Sequence, residues 1–280
     1  MTISRRLLLL PCLLILLQAC SSTTLVYNRL DFLIPWYIGK YVDLTRPQKT
    51  LLKQELTPFL QWHRSDELPT YVAILDTLEQ NLDAEMTPQQ VSAIATDFES
   101  AWLRVEARGL EWMLVLGEAL SDEQMAEFVT SLKEKQVEYE EEYLPRSDAE
   151  FHEEAYENLL DSAQDYMGRL DGDQRAILEQ AAADMQRSDS YWLQERALWL
   201  ERLEAMLQRE EGWQQALRDS LANRDDTASP EYLAVYEHNG QVIYSALAEL
   251  ANTRTAKQDK RLRRKLSGFR EDLETLIEQG

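Results

Sequence analysis

Four short stretches decide how this chain folds: Leu44-Thr45-Arg46-Pro47-Gln48, Met86-Thr87-Pro88-Gln89-Gln90, Leu120-Ser121-Asp122-Glu123-Gln124 and Leu170-Asp171-Gly172-Asp173-Gln174. Each reads as an apolar residue, a Thr, Ser or Asp, two variable residues, then Gln. That order makes a capping box. The oxygen of the first polar side chain accepts an orphan amide of the opening helical turn, and the Gln reaches back to the amide of the cap itself. Ser147-Asp148-Ala149-Glu150 is a fifth box, with Glu in place of Gln and Arg146 where the apolar residue would stand. Each phrase therefore marks a helix start.

Downstream of these starts the apolar residues recur at helical spacing. Phe98, Trp102, Val105, Gly109, Trp112 and Leu116 step by four and three. Leu193, Leu200, Leu203 and Leu207 form a second stripe, flanked by Trp192 and Trp199. Tyr232, Tyr236, Ile243, Leu247 and Leu250 make a third, and Leu262, Leu266, Phe269, Leu273 and Leu276 a fourth. No stretch alternates as a half-buried strand does. Nine glycines and eight prolines in 280 residues are few for a loop-rich protein. The fold class is all-α, an irregular bundle of about eight or nine long, mostly antiparallel helices. Expected helices cover 45–64, 69–84, 87–119, 121–143, 147–169, 172–208, 211–223, 230–252 and 256–279, with Pro58 kinking or dividing the first. The boxes fall 42, 34 and 50 residues apart, too unequally for a solenoid. A single domain over 25–280 follows, with room for two sub-bundles meeting near 119–121.

The N-terminus has another character. Arg5 and Arg6 precede an apolar run from Leu7 to Leu17, too short to span a bilayer, which needs about 20 residues. This is the layout of a cleaved secretory signal over residues 1–19. Leu17-Gln18-Ala19-Cys20 resembles the lipobox of bacterial lipoproteins. The resemblance implies that Leu17 and Ala19 guide cleavage and that Cys20 becomes the new N-terminus, carrying diacylglycerol with palmitate-type chains. Ser21 follows where an inner-membrane retention signal has Asp, so the implied address is the outer membrane, facing the periplasm. Residues 20–24 would form the tether. Cys12 leaves with the signal and Cys20 is blocked, so no thiol is left for a disulfide, metal or redox cofactor. The only attached group expected is the lipid on Cys20.

Residues 25–42 carry five aromatics, Tyr27, Phe32, Trp36, Tyr37 and Tyr41. The expectation is that they close the base of the bundle as core; the alternative is that they settle in the membrane interface.

Removing Arg5 and Arg6 leaves 27 basic against 50 acidic residues, a formal charge of −23. So acidic a body disfavours nucleic acid. Charge is nevertheless segregated: residues 254–270 hold eight bases against Asp259, whereas 138–157 hold nine acids against Arg146. Two readings stay open. Lys260, Arg261, Arg263, Arg264 and Lys265 display cations to an anionic envelope polymer or lipid, or they pair internally with the acidic helix.

There is no H-E-x-x-H, P-loop, G-x-S-x-G or Rossmann glycine pattern. His63, His152 and His238 fall on three different helices, and none follows Glu by three residues as di-iron bundles require. Glu150, Glu153, Glu154 and Glu157 share a helical face, which reads as a solvated charged row rather than a metal site. No catalytic residue and no metal are expected.

Two resemblances bear on function. The L-T-x-x-Q wording, literal only at Leu44–Gln48, resembles Spy- and CpxP-type periplasmic helical proteins, which act as chaperones or stress sensors. The stretch from Val26 to Thr45, directly after the lipobox, is similar to an uncharacterised family of Gram-negative lipoproteins. The expectation is a non-catalytic envelope lipoprotein with a binding or structural role, its membrane partner fixed by the anchor and any protein partner unknown. A chaperone-like adaptor and a cell-wall enzyme are the alternatives.

Overall fold

The computed structural model describes residues 22–279, and every regular element among them is helical. Helices α1 (Ser22–Tyr27) and α2 (Leu30–Ile38) open the described chain. The longer helices are α3 (Arg46–Trp62), α4 (Leu68–Asn81), α5 (Pro88–Ala119), α6 (Asp122–Tyr143), α7 (Asp148–Met167), α8 (Gly172–Asp184), α9 (Asp189–Met206), α10 (Trp213–Ala222), α11 (Pro230–Asn252) and α12 (Ala256–Glu278). The expected all-α class holds, and the helix starts fall where the boxes place them.

The boxes do more than cap. Gln48 and Gln124, from the first turns of α3 and α6, hydrogen-bond each other reciprocally, with Nε2-to-Oε1 distances of 2.7 and 2.9 Å. Each amide's second hydrogen goes to the chain just ahead of the other box: Gln48 donates to the Ala119 carbonyl (2.8 Å) and Gln124 to that of Asp43 (2.6 Å). Gln174 and Gln258, opening α8 and α12, repeat the arrangement bond for bond. Their mutual bonds are 3.0 and 2.8 Å, and they donate to the carbonyls of Thr253 (3.2 Å) and Arg169 (3.0 Å). In all four cases the carbonyl lies two residues before the partner's capping residue. Only a carboxamide can fill this role, because it both donates and accepts, whereas a carboxylate has no donor. The box with Glu, Ser147–Glu150, is exposed and takes no part in a joint.

The apolar faces gather into two bodies. Leu52 and Leu56 of α3, Trp112 and Leu116 of α5, Met125 and Leu132 of α6, Leu200 and Leu203 of α9 and Trp213 of α10 form the larger core. Leu75 of α4, Ala248 and Ala251 of α11, and Leu266 and Phe269 of α12 form another, which continues into Met167, Leu170, Leu178 and Leu250. The boundary is not at 119–121: Leu116, Leu120 and Met125 belong to one core, and α9 and α10 return to it after α7 and α8 have left. Helix α5, about 48 Å long at 1.5 Å per residue, contacts α3 and α10 in the first body and α4 and α11 in the second.

Three local expectations change. The span 172–208 is two helices, because Asn239 of α11, fully buried, brackets the backbone of Gln186. Its side chain accepts from the Gln186 N–H (2.8 Å) and donates to the carbonyl (2.7 Å), holding 185–188 out of the helix. Pro58 sits inside α3 without dividing it. The irregularity comes later, at a π turn over His63–Glu67 closed by the Leu68 N–H on the His63 carbonyl. Pro69 follows; it has no N–H for the Ser65 carbonyl, and its ring must be accommodated there, so the turn widens. On α5 Trp102 is exposed and Ala101 takes the buried position.

Candidate functional site: an exposed N-terminal face and a cationic helix

Cys20, Leu17 and Ala19 lie outside the described residues. The structure begins two residues after Cys20, at α1, and shows how that end is held. Thr24 donates to Asp272 Oδ1 (3.3 Å) and Asn28 to Gln279 Oε1 (2.9 Å), fastening α1 to the last turns of α12. Arg64 donates to Asn28 Oδ1 (2.7 Å) and to the Leu276 carbonyl (3.3 Å). The Tyr27 hydroxyl meets His63 Nδ1 at 2.9 Å, and His63 Nε2 meets the Tyr71 hydroxyl at 3.3 Å. Burial lowers His63 to about 4, against an opposing pull from the Glu67 carboxylate, and burial pushes Tyr27 up to about 12. His63 is thus a neutral bridge between two tyrosines. Glu67 is itself buried and is held by two hydrogen bonds from Arg104 (3.0 and 2.6 Å).

The expected closure of the base by aromatics holds for only one side. Ile34, Ile38 and Tyr41 pack on the larger core. Phe32 and Trp36 point away from it and are 63% and 54% exposed, as are Leu25 (62%) and Val26 (51%) of α1. Arg29, Phe32, Trp36 and Lys40 step by three and four along one face, and Lys40 Nζ stands 4.0 Å from the Trp36 ring centroid. The reason is geometric: α2 buries one face, Ile34 and Ile38 occupy it, and Phe32 and Trp36 fall on the opposite side.

At the other end of α12 the eight bases of 254–270 divide into two sets. Among the described residues no α-helix has a base in its own last turn, so C-terminal carbonyls find cations elsewhere. Arg254 and Arg263 both donate to the Leu82 carbonyl at the end of α4, and Arg263 also pairs with Asp83 and Asp259. Lys265 pairs with Asp165 and, with Arg261, donates to that residue's carbonyl near the end of α7 (3.2 Å each). Arg270 pairs with Asp76 and Glu79. Arg261 also lies over Gly168, whose φ of 80° ends α7. The acidic segment 138–157 is not their partner; Arg146 and Arg187 serve it instead. Much of the apparent patch is therefore capping by a helix that crosses two others' ends.

Lys257, Lys260 and Arg264 remain. They are exposed, make no ion pair or side-chain hydrogen bond among the described residues, and share one helical face. Arg261 is exposed beside them. They also sit in the first half of α12, near its positive dipole end, while Glu271, Glu274 and Glu278 occupy the negative end. This is opposite to what helix stability favours. Of the five cations singled out from sequence, Lys260 and Arg264 are thus free, Arg261 is half-committed, and Arg263 and Lys265 are engaged. Lys257 was missed, although its spacing of three from Lys260 was legible.

The row Glu150–Glu157 is dispersed in role: Glu150 caps Ser147 and Glu154 pairs with Arg146. Among the described residues no group of three His, Asp or Glu side chains is placed to hold a metal. A depression of about 400 Å³ between α5 and α10 contains Glu111 and Glu118. Arg218 holds Glu111 below the usual carboxylate range, and Glu118 accepts from Gln214 (2.9 Å), so both carboxylates are engaged. No described helix is long and apolar enough to cross a membrane.

The class defined by these features is an all-helical bundle with two amide joints and two unpartnered surfaces, one apolar and one cationic. The chain belongs to a family of unknown function (DUF6279), which matches residues 40–233, or 194 of its 280 residues. That match stops short of α1 and α2 at one end and leaves out α12 at the other. No curated protein and no solved structure matches the chain.

Proposed function

We propose that the protein is a lipid-anchored lipoprotein of the outer membrane, facing the periplasm, that binds an anionic envelope component through α12 and catalyses no reaction. The address rests on Leu17-Gln18-Ala19-Cys20 behind a charged and apolar leader. The binding role rests on one observation, the three unpartnered cations Lys257, Lys260 and Arg264 on one face of an otherwise acidic chain, set against the helix dipole. Residues that contradict local preference without a compensating contact are characteristic of functional surfaces.

Two experiments test this. Cells fed a fatty-acid analogue should label the protein, and Cys20→Ala should abolish the label; label retained in that variant excludes the anchor. Protein lacking the lipid anchor should bind anionic vesicles or purified wall polymer at low salt and release them at high salt. Lys257→Glu, Lys260→Glu and Arg264→Glu together should remove the salt-sensitive part while helicity persists. The triple variant leaves the capping cations Arg254, Arg261, Arg263 and Lys265 in place, so undiminished binding would assign it elsewhere.

A further inference from the structure

We propose that the exposed face of α1 and α2, formed by Leu25, Val26, Phe32 and Trp36, is seated in the bilayer interface, making the first helices a membrane-resting platform rather than a slack tether. The inference rests on the acylation of Cys20 proposed above, and it adds an interaction surface to that anchor.

Chain length carries the first step. Only Ser21 stands between Cys20 and the first residue of α1, and two residue steps span at most about 7 Å. An acylated Cys20 therefore brings headgroups to α1 itself. The second step is that α1 is not free to swing. Thr24, Tyr27 and Asn28 are fastened to Asp272, His63 and Gln279, so the sides of α1 that carry these contacts belong to the body. Leu25 and Val26 are left outside. The third step is the chemistry of α2. Its inner residues Ile34 and Ile38 are taken by the core, while Phe32 and Trp36 face outward between Arg29 and Lys40. The Lys40 ammonium lies over the Trp36 ring, 4.0 Å from its centroid, so the aromatic face is bordered by a cation. Aromatic rings bordered by basic side chains suit the headgroup level, where an apolar body and a charged tip are both satisfied. Four large apolar side chains exposed within twelve residues, the first of them five residues after the proposed lipid attachment point, call for a cover, and an anchored bilayer is the cover within reach.

The platform also sets the direction of the bundle. The end of α12 that holds α1 becomes membrane-proximal, and Lys260 lies about 18 Å along the axis from Asp272. That exceeds two Debye lengths at physiological ionic strength. The cation stripe reaches the same membrane only if α12 lies along the surface; otherwise it serves a ligand further into the periplasm.

The test uses the full, acylated chain in vesicles containing phosphatidylethanolamine and phosphatidylglycerol. Acylation of Cys20 leaves no free thiol in the mature protein, so Phe32→Cys and Trp36→Cys can each carry one environment-sensitive fluorophore, with Asp173→Cys on α8 as the control. Acylation is verified first by mass. The expected result is blue-shifted emission at positions 32 and 36, quenched by lipids bearing a nitroxide near the headgroup, with water-like emission at 173. Water-like emission at 32 and 36 in acylated protein overturns the platform and leaves the anchor standing. Protein found unacylated overturns the anchor, and the platform with it. Blue-shifted emission without lipid quenching shows a protein cover, such as a second copy, and also overturns the platform.

Discussion

The joints between the long helices and the joint that fastens α1 do the same mechanical work with different chemistry. Gln48–Gln124 and Gln174–Gln258 are built from uncharged amides, each donating twice and accepting from its partner as well as from its own capping residue, with no titratable group in the bonds between the glutamines. The α1 joint is built from His63, two tyrosines, Arg64 and Asp272. The first kind fixes the bundle regardless of pH. The second ties a proposed membrane-contacting segment to the body through groups whose protonation matters. The contrast predicts that core damage should be large and pH-independent, and that damage at α1 should be moderate and acid-sensitive.

The largest expected effect is at Gln174, which is fully buried. Gln174→Ala leaves the Thr253 carbonyl and the Asp171 amide without a partner and takes one bond from each half of the Gln258 carboxamide, which keeps Arg169 and Thr255. Orphaned buried polar groups cost about 1–3 kcal/mol each, and several at once should lower stability by about 4 kcal/mol. Gln48→Ala should cost less, about 2 kcal/mol, because Gln124 across that joint is only half-buried. Urea midpoints of the two variants decide the order, and equal losses would mean that joint burial is not what sets the cost. A Gln174→Glu substitution sharpens the point: it keeps the cap but loses both donations, and it should resemble Ala more than wild type.

The middle effect is acid sensitivity of the α1 joint. His63 titrates near 6.5 when unfolded and at about 4 in place. Its folded value is depressed, so the unfolded or released state binds the proton first, and stability falls as pH drops from about 6.5 towards about 4. Between pH 7 and pH 5 the loss is about 2 kcal/mol. Burial raises the carboxyl of Asp272, so that group acts with the opposite sign, favouring the joint as pH falls. His63→Phe isolates the histidine's share. Amide exchange over residues 24–28, corrected for intrinsic rates, should speed up between pH 7 and pH 5 in wild type and show little acid-induced change in the variant. The same comparison made at Gln174 should show no difference between the two pH values.

How much of this was legible follows from the same division. Helix starts at Thr87, Ser121, Ser147 and Asp171 are local, because cap and first turn sit within four residues, and sequence placed them. The joints are not local. Gln48 and Gln124 stand 76 residues apart, and nothing in either box names the other. One clue was available: the paired boxes all use Gln where an isolated cap accepts Glu, and Thr255-Ala256-Lys257-Gln258, at the start of the helix expected over 256–279, has the same form. The split at 185–188 was hidden because it depends on Asn239, 53 residues on. The cations of α12 were visible as a cluster, but their sorting into caps and free charges required knowing which helix ends α12 crosses. The outward turn of Phe32 and Trp36 required knowing which face Ile34 and Ile38 would bury.

The smallest expected effect separates capping from joining. Thr87 opens α5 with a complete box: its oxygen accepts the Gln90 amide (3.2 Å), and Gln90 accepts the Thr87 N–H (2.9 Å). Yet Gln90 finds no second box; its carboxamide donates to Asn81 at 3.4 Å, and its surroundings are half-open. Water can replace what a substitution removes, so Thr87→Ala should cost about 1 kcal/mol, the ordinary worth of a cap. Gln90→Ala should cost no more than that, in contrast to about 4 kcal/mol at Gln174. The box at Ser147 belongs with Thr87, since Glu150 is exposed and bonds only within its own turn. Ser147→Ala should therefore match Thr87→Ala within a few tenths of a kcal/mol. Measured by urea midpoint, a loss at Gln90 as large as that at Gln174 would show that the glutamine of every box bears on the fold equally. Pairing would then be a consequence of where the helices start and not the contact that holds them together.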